Sequence, residues 1–247
     1  MLRRDAIALL LAAAPAPRRA VILLDVRTRR VLTAQNPELL APPGSTLKPL
    51  VFSTLLRAKK LDPSEAFPCT GRLEIDGRRF DCSHPPMNQA IDLRMALAYS
   101  CNRFTAHVAE RFEPGELARG LERFEIGRTQ AAATREASQL QALGEERVLV
   151  TPMELALAYR QIALGGEPAI IGGLKDAVEF GTAQRAAVPG LAVAGKTGSV
   201  RTMAGASIAW FAGFTAAMVV VVMLPGRSGG ADAAPVAAEV LREAAKK

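Results

Sequence analysis

Three short clusters in this chain carry residue types suited to nucleophilic acyl transfer: Ser45-Thr46-Leu47-Lys48, Ser100-Cys101-Asn102 and Lys196-Thr197-Gly198-Ser199. Such chemistry needs a nucleophile, a base, a proton relay, an anchor for the substrate and donors for a developing oxyanion. On a helix, positions i and i+3 share a face, so Lys48 is expected to reach the Ser45 hydroxyl. A lysine acts as a base only when partly neutral. The positive end of the helix and a second ammonium, for which Lys196 is the candidate, would lower its pKa. Ser100 and Asn102 offer two polar side chains at a helix break. Gly198 on a strand would let a substrate backbone approach, and the Ser199 N–H would face the oxyanion. Taken singly, each cluster has a plainer reading: a surface serine and lysine on one helix, or Ser100 as a cap of the next helix. The order and spacing of all three carry the inference.

Lys196-Thr197 also completes a GxxxxGK[ST] pattern beginning at Gly190. A phosphate-binding loop needs an exposed N–H loop followed by a helix. Here Leu191-Ala192-Val193-Ala194 reads as strand, and Gly198 to Gly205 is a poor helix start. The nucleotide reading therefore lacks its scaffold.

Ala20 to Asp25 and Val31 to Ala34 read as paired strands around a turn at Arg27 to Arg30. Leu47, Leu50, Val51, Leu55 and Ala58 recur at helical spacing from Thr46 to about Lys60, with Pro49 in the first turn, where its missing N–H costs little. Met87 to Tyr99 and Phe104 to Phe112 read as helices, and 113 to 147 carries little pattern. Thr151-Pro152-Met153-Glu154 is a capping box opening a helix that runs to Gly165-Gly166. Leu191 to Val200, Ser207 to Thr215 and Ala217 to Leu224 read as strands, and Pro235 onward as a closing helix. The expected class is α+β: a central antiparallel sheet of about five strands formed by both termini, flanked by helices, with an inserted mainly helical lobe. In residue terms, a sheet lobe (20–45 and 185–247) encloses a helical lobe (46–184), and together they form one domain over 20–247.

Asp76-Gly77 is a hairpin signal between Cys69 and Cys82. A hairpin there sets Cys82 opposite Gly71, near Cys69 but out of direct register. A disulfide joining Cys69 and Cys82 through a small bulge is expected; the other reading is two buried thiols. No metal site is expected, because the two histidines, His84 and His107, show no ligand spacing with the cysteines.

At 247 residues with 49% apolar and 22% charged content, the chain can bury a sizeable core. Net charge is +7, with the basic residues scattered and almost no aromatics interleaved, which tells against nucleic acid. An anionic lipid surface and an anionic cell-wall polymer stay open as partners. Residues 1–19 open with Met1-Leu2-Arg3-Arg4, an apolar run from Ala6 to Ala14, then Pro15-Ala16-Pro17. That order matches an export signal, by the general or the twin-arginine route, and so an envelope or periplasmic setting; a frayed helix is the alternative.

With its three clusters, the chain resembles the transpeptidase domain of penicillin-binding proteins, the serine D,D-peptidases of bacterial cell-wall synthesis. The carrying residues are Pro43-Gly44-Ser45-Thr46-Leu47-Lys48-Pro49, Ser100-Cys101-Asn102 and Lys196-Thr197-Gly198-Ser199. Thr151 to Ala156 and Trp210 to Phe214 look like secondary landmarks of the same family. The resemblance implies that Ser45 is acylated, Lys48 is the general base, Ser100 relays protons and Asn102 holds the peptide. Lys196, Thr197 and Ser199 would bind the terminal carboxylate, and the N–H groups of Ser45 and Ser199 would form the oxyanion hole. Peptidoglycan stem peptides would be the substrate and β-lactams covalent inhibitors, with no cofactor. The segment between Ser100 and Lys196 is short for a full transpeptidase, and no glycosyltransferase module or pedestal domain is read. A trimmed cleft fits hydrolysis as well as crosslinking, or a module that binds without turnover. Similarity to β-lactamases is weaker, since no ExxLN stretch is present and neither Tyr99 nor Tyr159 sits in a YGN triplet.

Overall fold

The structure, a computed structural model, describes residues 18–87, 89–202 and 205–246. The export signal expected over 1–19 falls outside the described residues except for Arg18 and Arg19. In chain order the elements are β1 (Ala20–Asp25), β2 (Val31–Gln35), α1 (Lys48–Arg57), β3 (Glu74–Ile75), β4 (Arg78–Arg79), α2 (Leu93–Ala98) and α3 (Asn102–Ala109). They continue with α4 (Glu116–Glu122), α5 (Arg135–Ala142), α6 (Pro152–Gly165), α7 (Pro168–Glu179), β5 (Ala194–Arg201), β6 (Ser207–Phe214), β7 (Met218–Pro225) and α8 (Ala234–Ala244). The class is α+β.

Five strands form one antiparallel sheet in the order β2-β1-β7-β6-β5. The N-terminal β1 thus lies between its hairpin partner β2 and the C-terminal β7, so the two ends of the chain complete each other's sheet. Strand β7 is the unbroken apolar run Val219 to Met223, and its alternation is hidden because both faces are covered. Val219, Val221 and Met223 join Ile22, Leu24 and Trp210 in a core against α6. Val220 and Val222 join Leu23 and Phe211 in a second core against Ala237, Ala238 and Leu241 of α8. Each fully buried valine contributes about 1.5–3 kcal/mol.

Thr151 caps α6 as expected: its side chain accepts from the Glu154 N–H at 3.1 Å, and Glu154 accepts from the Thr151 N–H at 2.7 Å. The helical segments differ from expectation in three places. Among the described residues of the Met87–Tyr99 stretch, only Leu93 to Ala98 is helical, beginning where Asp92 accepts from the Met95 N–H. The pattern-poor 113–147 region holds α4 and α5. Helix α7 has no clear signal in the sequence, because Gly172-Gly173 lowers helix propensity at its centre. The fold needs that lack of side chain. A Cβ at Gly173 would sit 2.8 Å from Leu97 Cβ and 2.9 Å from the Arg94 carbonyl, so glycine lets α2 cross α7 closely. The crossing is pinned by a bidentate pair, Arg94 Nε to Asp176 Oδ2 at 3.0 Å and Nη2 to Oδ1 at 2.9 Å.

Candidate active site

Ser45 lies in a single 3-10 turn, Gly44–Leu47, that runs directly into α1. Three contacts hold this turn, one from the sheet, one from α6 and one from the segment after α5. The indole of the fully buried Trp210 donates to the Pro42 carbonyl at 3.0 Å, Tyr159 donates to the Thr46 carbonyl at 2.8 Å, and the Gly44 N–H donates to Gly144 at 3.0 Å. Gly198 sits opposite Trp210 in the β5–β6 ladder. A Cβ there would lie 2.8 Å from the Pro43 carbonyl and 3.0 Å from Thr46 Cγ2. Close approach at Gly198 is thus made by the chain's own Ser45 turn, a demand on this glycine that the sequence did not reveal.

Ser100 joins α2 to α3 in the left-handed region, φ +57°. It is not the cap of α3; Cys101 is, with its sulfur accepting from the Phe104 N–H. Asn102 opens α3 and donates through Nδ2 to the Phe80 carbonyl of the neighbouring hairpin at 3.0 Å.

Ser45, Ser100, Asn102, Thr197 and Ser199 line one cleft of about 540 Å³. Lys48 and Lys196 are fully buried beside it. The Lys48 amine is engaged with the 100–102 turn rather than with the Ser45 hydroxyl. It donates to the Ser100 carbonyl at 2.8 Å, to Ser100 Oγ at 3.3 Å and to Asn102 Oδ1 at 2.6 Å. Burial lowers the Lys48 pKa to about 8. Burial likewise drives Lys196 well below the ordinary lysine value, and repulsion from Lys48 lowers it further. The Lys48 pKa falls as expected, but burial is the main cause in place of the neighbouring ammonium. The Lys196 amine donates to the Thr197 carbonyl at 3.0 Å.

The remaining walls come from residues that sequence patterns did not single out. Thr197 Oγ1 donates to Thr182 Oγ1 at 2.9 Å, and Ser199 Oγ accepts from the Gly229 N–H at 2.9 Å. The exposed Arg185 lines the same cleft and donates to the Ala231 carbonyl at 3.0 Å, which places a cation on the cleft wall. No sequence signal separated Arg185 from the scattered basic residues. The arrangement supplies a hydroxyl, a softened amine bonded to a second hydroxyl, and a strand edge with polar side chains. Those are the group types that acyl transfer uses.

The hairpin beside Asn102 forms as expected, with Asp76 and Gly77 both at positive φ and the Cys82 N–H donating to Gly71 at 2.8 Å. The expected Cys69–Cys82 disulfide is not formed. The two sulfurs are unbonded at 3.6 Å, and Cys101 Sγ and His84 Nε2 share the same space, each 3.5 Å from Cys69 Sγ. The expectation of no ligand cluster around the histidines is corrected for His84.

The family model for the penicillin-binding protein transpeptidase domain matches residues 20–171 and 168–243. No curated protein sequence matches the chain. Among solved structures, the transpeptidase domain of Burkholderia pseudomallei penicillin-binding protein 3 is similar with a TM-score of 0.80 at 20% identity, covering 92% of this chain and 87% of that one. Pseudomonas aeruginosa PBP2, solved in complex with WCK 5153, has a TM-score of 0.79 at 18% identity, covering 92% and 70%. The D,D-transpeptidase domain of an Eggerthella lenta peptidoglycan glycosyltransferase has a TM-score of 0.76 at 20% identity, covering 94% and 78%.

Proposed function

Because the chain belongs to the penicillin-binding protein transpeptidase domain family, we propose that it is a serine D,D-peptidase that cleaves D-Ala-D-Ala peptidoglycan stem peptides through an acyl-enzyme at Ser45. The observation that supports this reading most is the shared cleft of Ser45, Ser100, Asn102, Thr197 and Ser199, with the Lys48 amine bonded to Ser100 and Asn102.

Ser45 Oγ attacks the carbonyl carbon between the two D-alanines. Its proton passes to the neutral Lys48 amine, directly or over Ser100 Oγ, which stands 3.3 Å from that amine. The oxyanion is held by the N–H groups of Ser45 and Ser199; loss of one such donor typically costs about 3–4 kcal/mol of transition-state stabilisation. Collapse breaks the C–N bond, and the departing D-alanine amine takes up the proton. The Ser45 ester is then released to water or to an acceptor amine. Asn102 orients the peptide amide, and Thr197, Ser199, Lys196 and Arg185 provide for the terminal carboxylate. A β-lactam follows the same first step, but its ring-opened amine stays tethered and the ester persists. The cell envelope is the setting in which this substrate occurs.

Intact-mass measurement after exposure to a fluorescent penicillin tests the assignment. One adduct is expected on the wild type and none on Ser45→Ala; adducts on both, or on neither, defeat it. Release of D-alanine from a pentapeptide by the wild type is expected, and acylation without release would make the chain a binding module.

A further inference from the structure

The catalytic reading leaves one cluster unused: Cys69, Cys82, His84 and Cys101, whose ligand atoms all lie within 4.8 Å of one another. The three sulfurs form a nearly equilateral triangle with edges of 3.6, 3.5 and 3.7 Å, and His84 Nε2 stands 3.5 Å from Cys69 Sγ. A disulfide requires about 2.05 Å between one pair and strands the third sulfur. A tetrahedron built on Zn–S bonds of about 2.3 Å and a Zn–N bond of about 2.0–2.1 Å has S···S edges of about 3.8 Å and S···N edges of about 3.5 Å. The three S···S edges and the Cys69–His84 edge follow that figure, and the other two S···N distances lie within 4.8 Å.

The surroundings also suit a metal. His84 Nδ1 sits 2.8 Å from the Pro85 carbonyl, which fixes the proton on Nδ1 and leaves the Nε2 lone pair facing the sulfurs. The N–H groups of Gly71 and Phe104 donate to Cys69 and Cys101 sulfurs at 3.4 Å each. We propose that Cys69, Cys82, His84 and Cys101 bind one structural zinc ion, a closed tetrahedral site of three thiolates and one imidazole. Binding displaces the thiol protons into solvent. The ion clamps a hairpin with only two residues per strand, which is marginal alone. It fastens that hairpin to Cys101, between Ser100 and Asn102, so it positions the cleft wall without touching substrate.

Elemental analysis of the full chain, purified without chelator and supplied with zinc, tests this independently of any peptidase activity. About one zinc per chain is expected, falling at least tenfold in His84→Ala and Cys69→Ser and staying unchanged in His107→Ala. Should the variants fail to fold by circular dichroism, cobalt added to the chelator-stripped wild type decides. Intense tetrahedral d–d bands with sulfur-to-cobalt charge transfer, bleached by one equivalent of zinc, support the site. Absence of stoichiometric metal, or a single free thiol on denaturation without reductant, overturns it in favour of a disulfide.

Discussion

The proposed acylation turns on the Lys48 amine, whose pKa burial lowers. With a pKa of about 8, the neutral fraction grows about tenfold per pH unit below that value and levels off above it. The rate of Ser45 acylation by a fluorescent penicillin is therefore expected to climb with pH and flatten above about 8. Lys48→Ala should lower it by about 10²–10⁴-fold across the range. Glu145 offers a second, separable titration. Desolvation raises its pKa to about 7, with the charges of Arg78 and Lys48 partly opposing. A carboxyl whose folded pKa is raised destabilises the fold above that pKa, and the cost fades as pH falls toward the ordinary value. Glu145→Gln is accordingly expected to stabilise the protein by about 2 kcal/mol at pH 8.5 and by little at pH 5, read from thermal melts at the two pH values.

Elements meet at the Ser45 turn, where α1, β5, β6 and α6 each contribute a constraint. Glycine at 198 lets the turn lie on β5, while Trp210 and Tyr159 hold it from the two sides. Gly198→Ala places a methyl 2.8 Å from the Pro43 carbonyl, and backbone cannot yield there without moving Ser45. Acylation is expected to drop at least about 10²-fold, since misplacement by about 1 Å costs that much. Circular dichroism should remain that of the wild type, because the added methyl meets the Ser45 turn and neither of the sheet's apolar cores.

For the molecule as a whole, the closure of both termini into one sheet makes the site depend on distant residues. Strand β1 pairs with β7 along its full length, Ile22 opposite Val221, and Ile22 is fully buried against α6 residues. Ile22→Ala is expected to cost about 2–5 kcal/mol, seen as a lower denaturant midpoint at an unchanged slope. No described helix is long and apolar enough to cross a membrane.

Strand and helix identity was written locally: the β-branched run 219–222, the capping box at Thr151 and the Asp76-Gly77 turn each fold by short-range physics. The motif spacing likewise named the residues that gather at the cleft. Through-space partners were not legible, because a distance between remote residues depends on how layers pack and has no covalent trace. Packing decided that Lys48 turns to Ser100 and Asn102, that burial softens both amines, and that Gly198 accommodates the Ser45 turn. It also brought Thr182 and Arg185 to the cleft and gathered three sulfurs and an imidazole from positions 69, 82, 84 and 101. Helix α7 shows the same division in reverse: its glycine pair speaks against a helix locally, and close crossing with α2 overrules that preference.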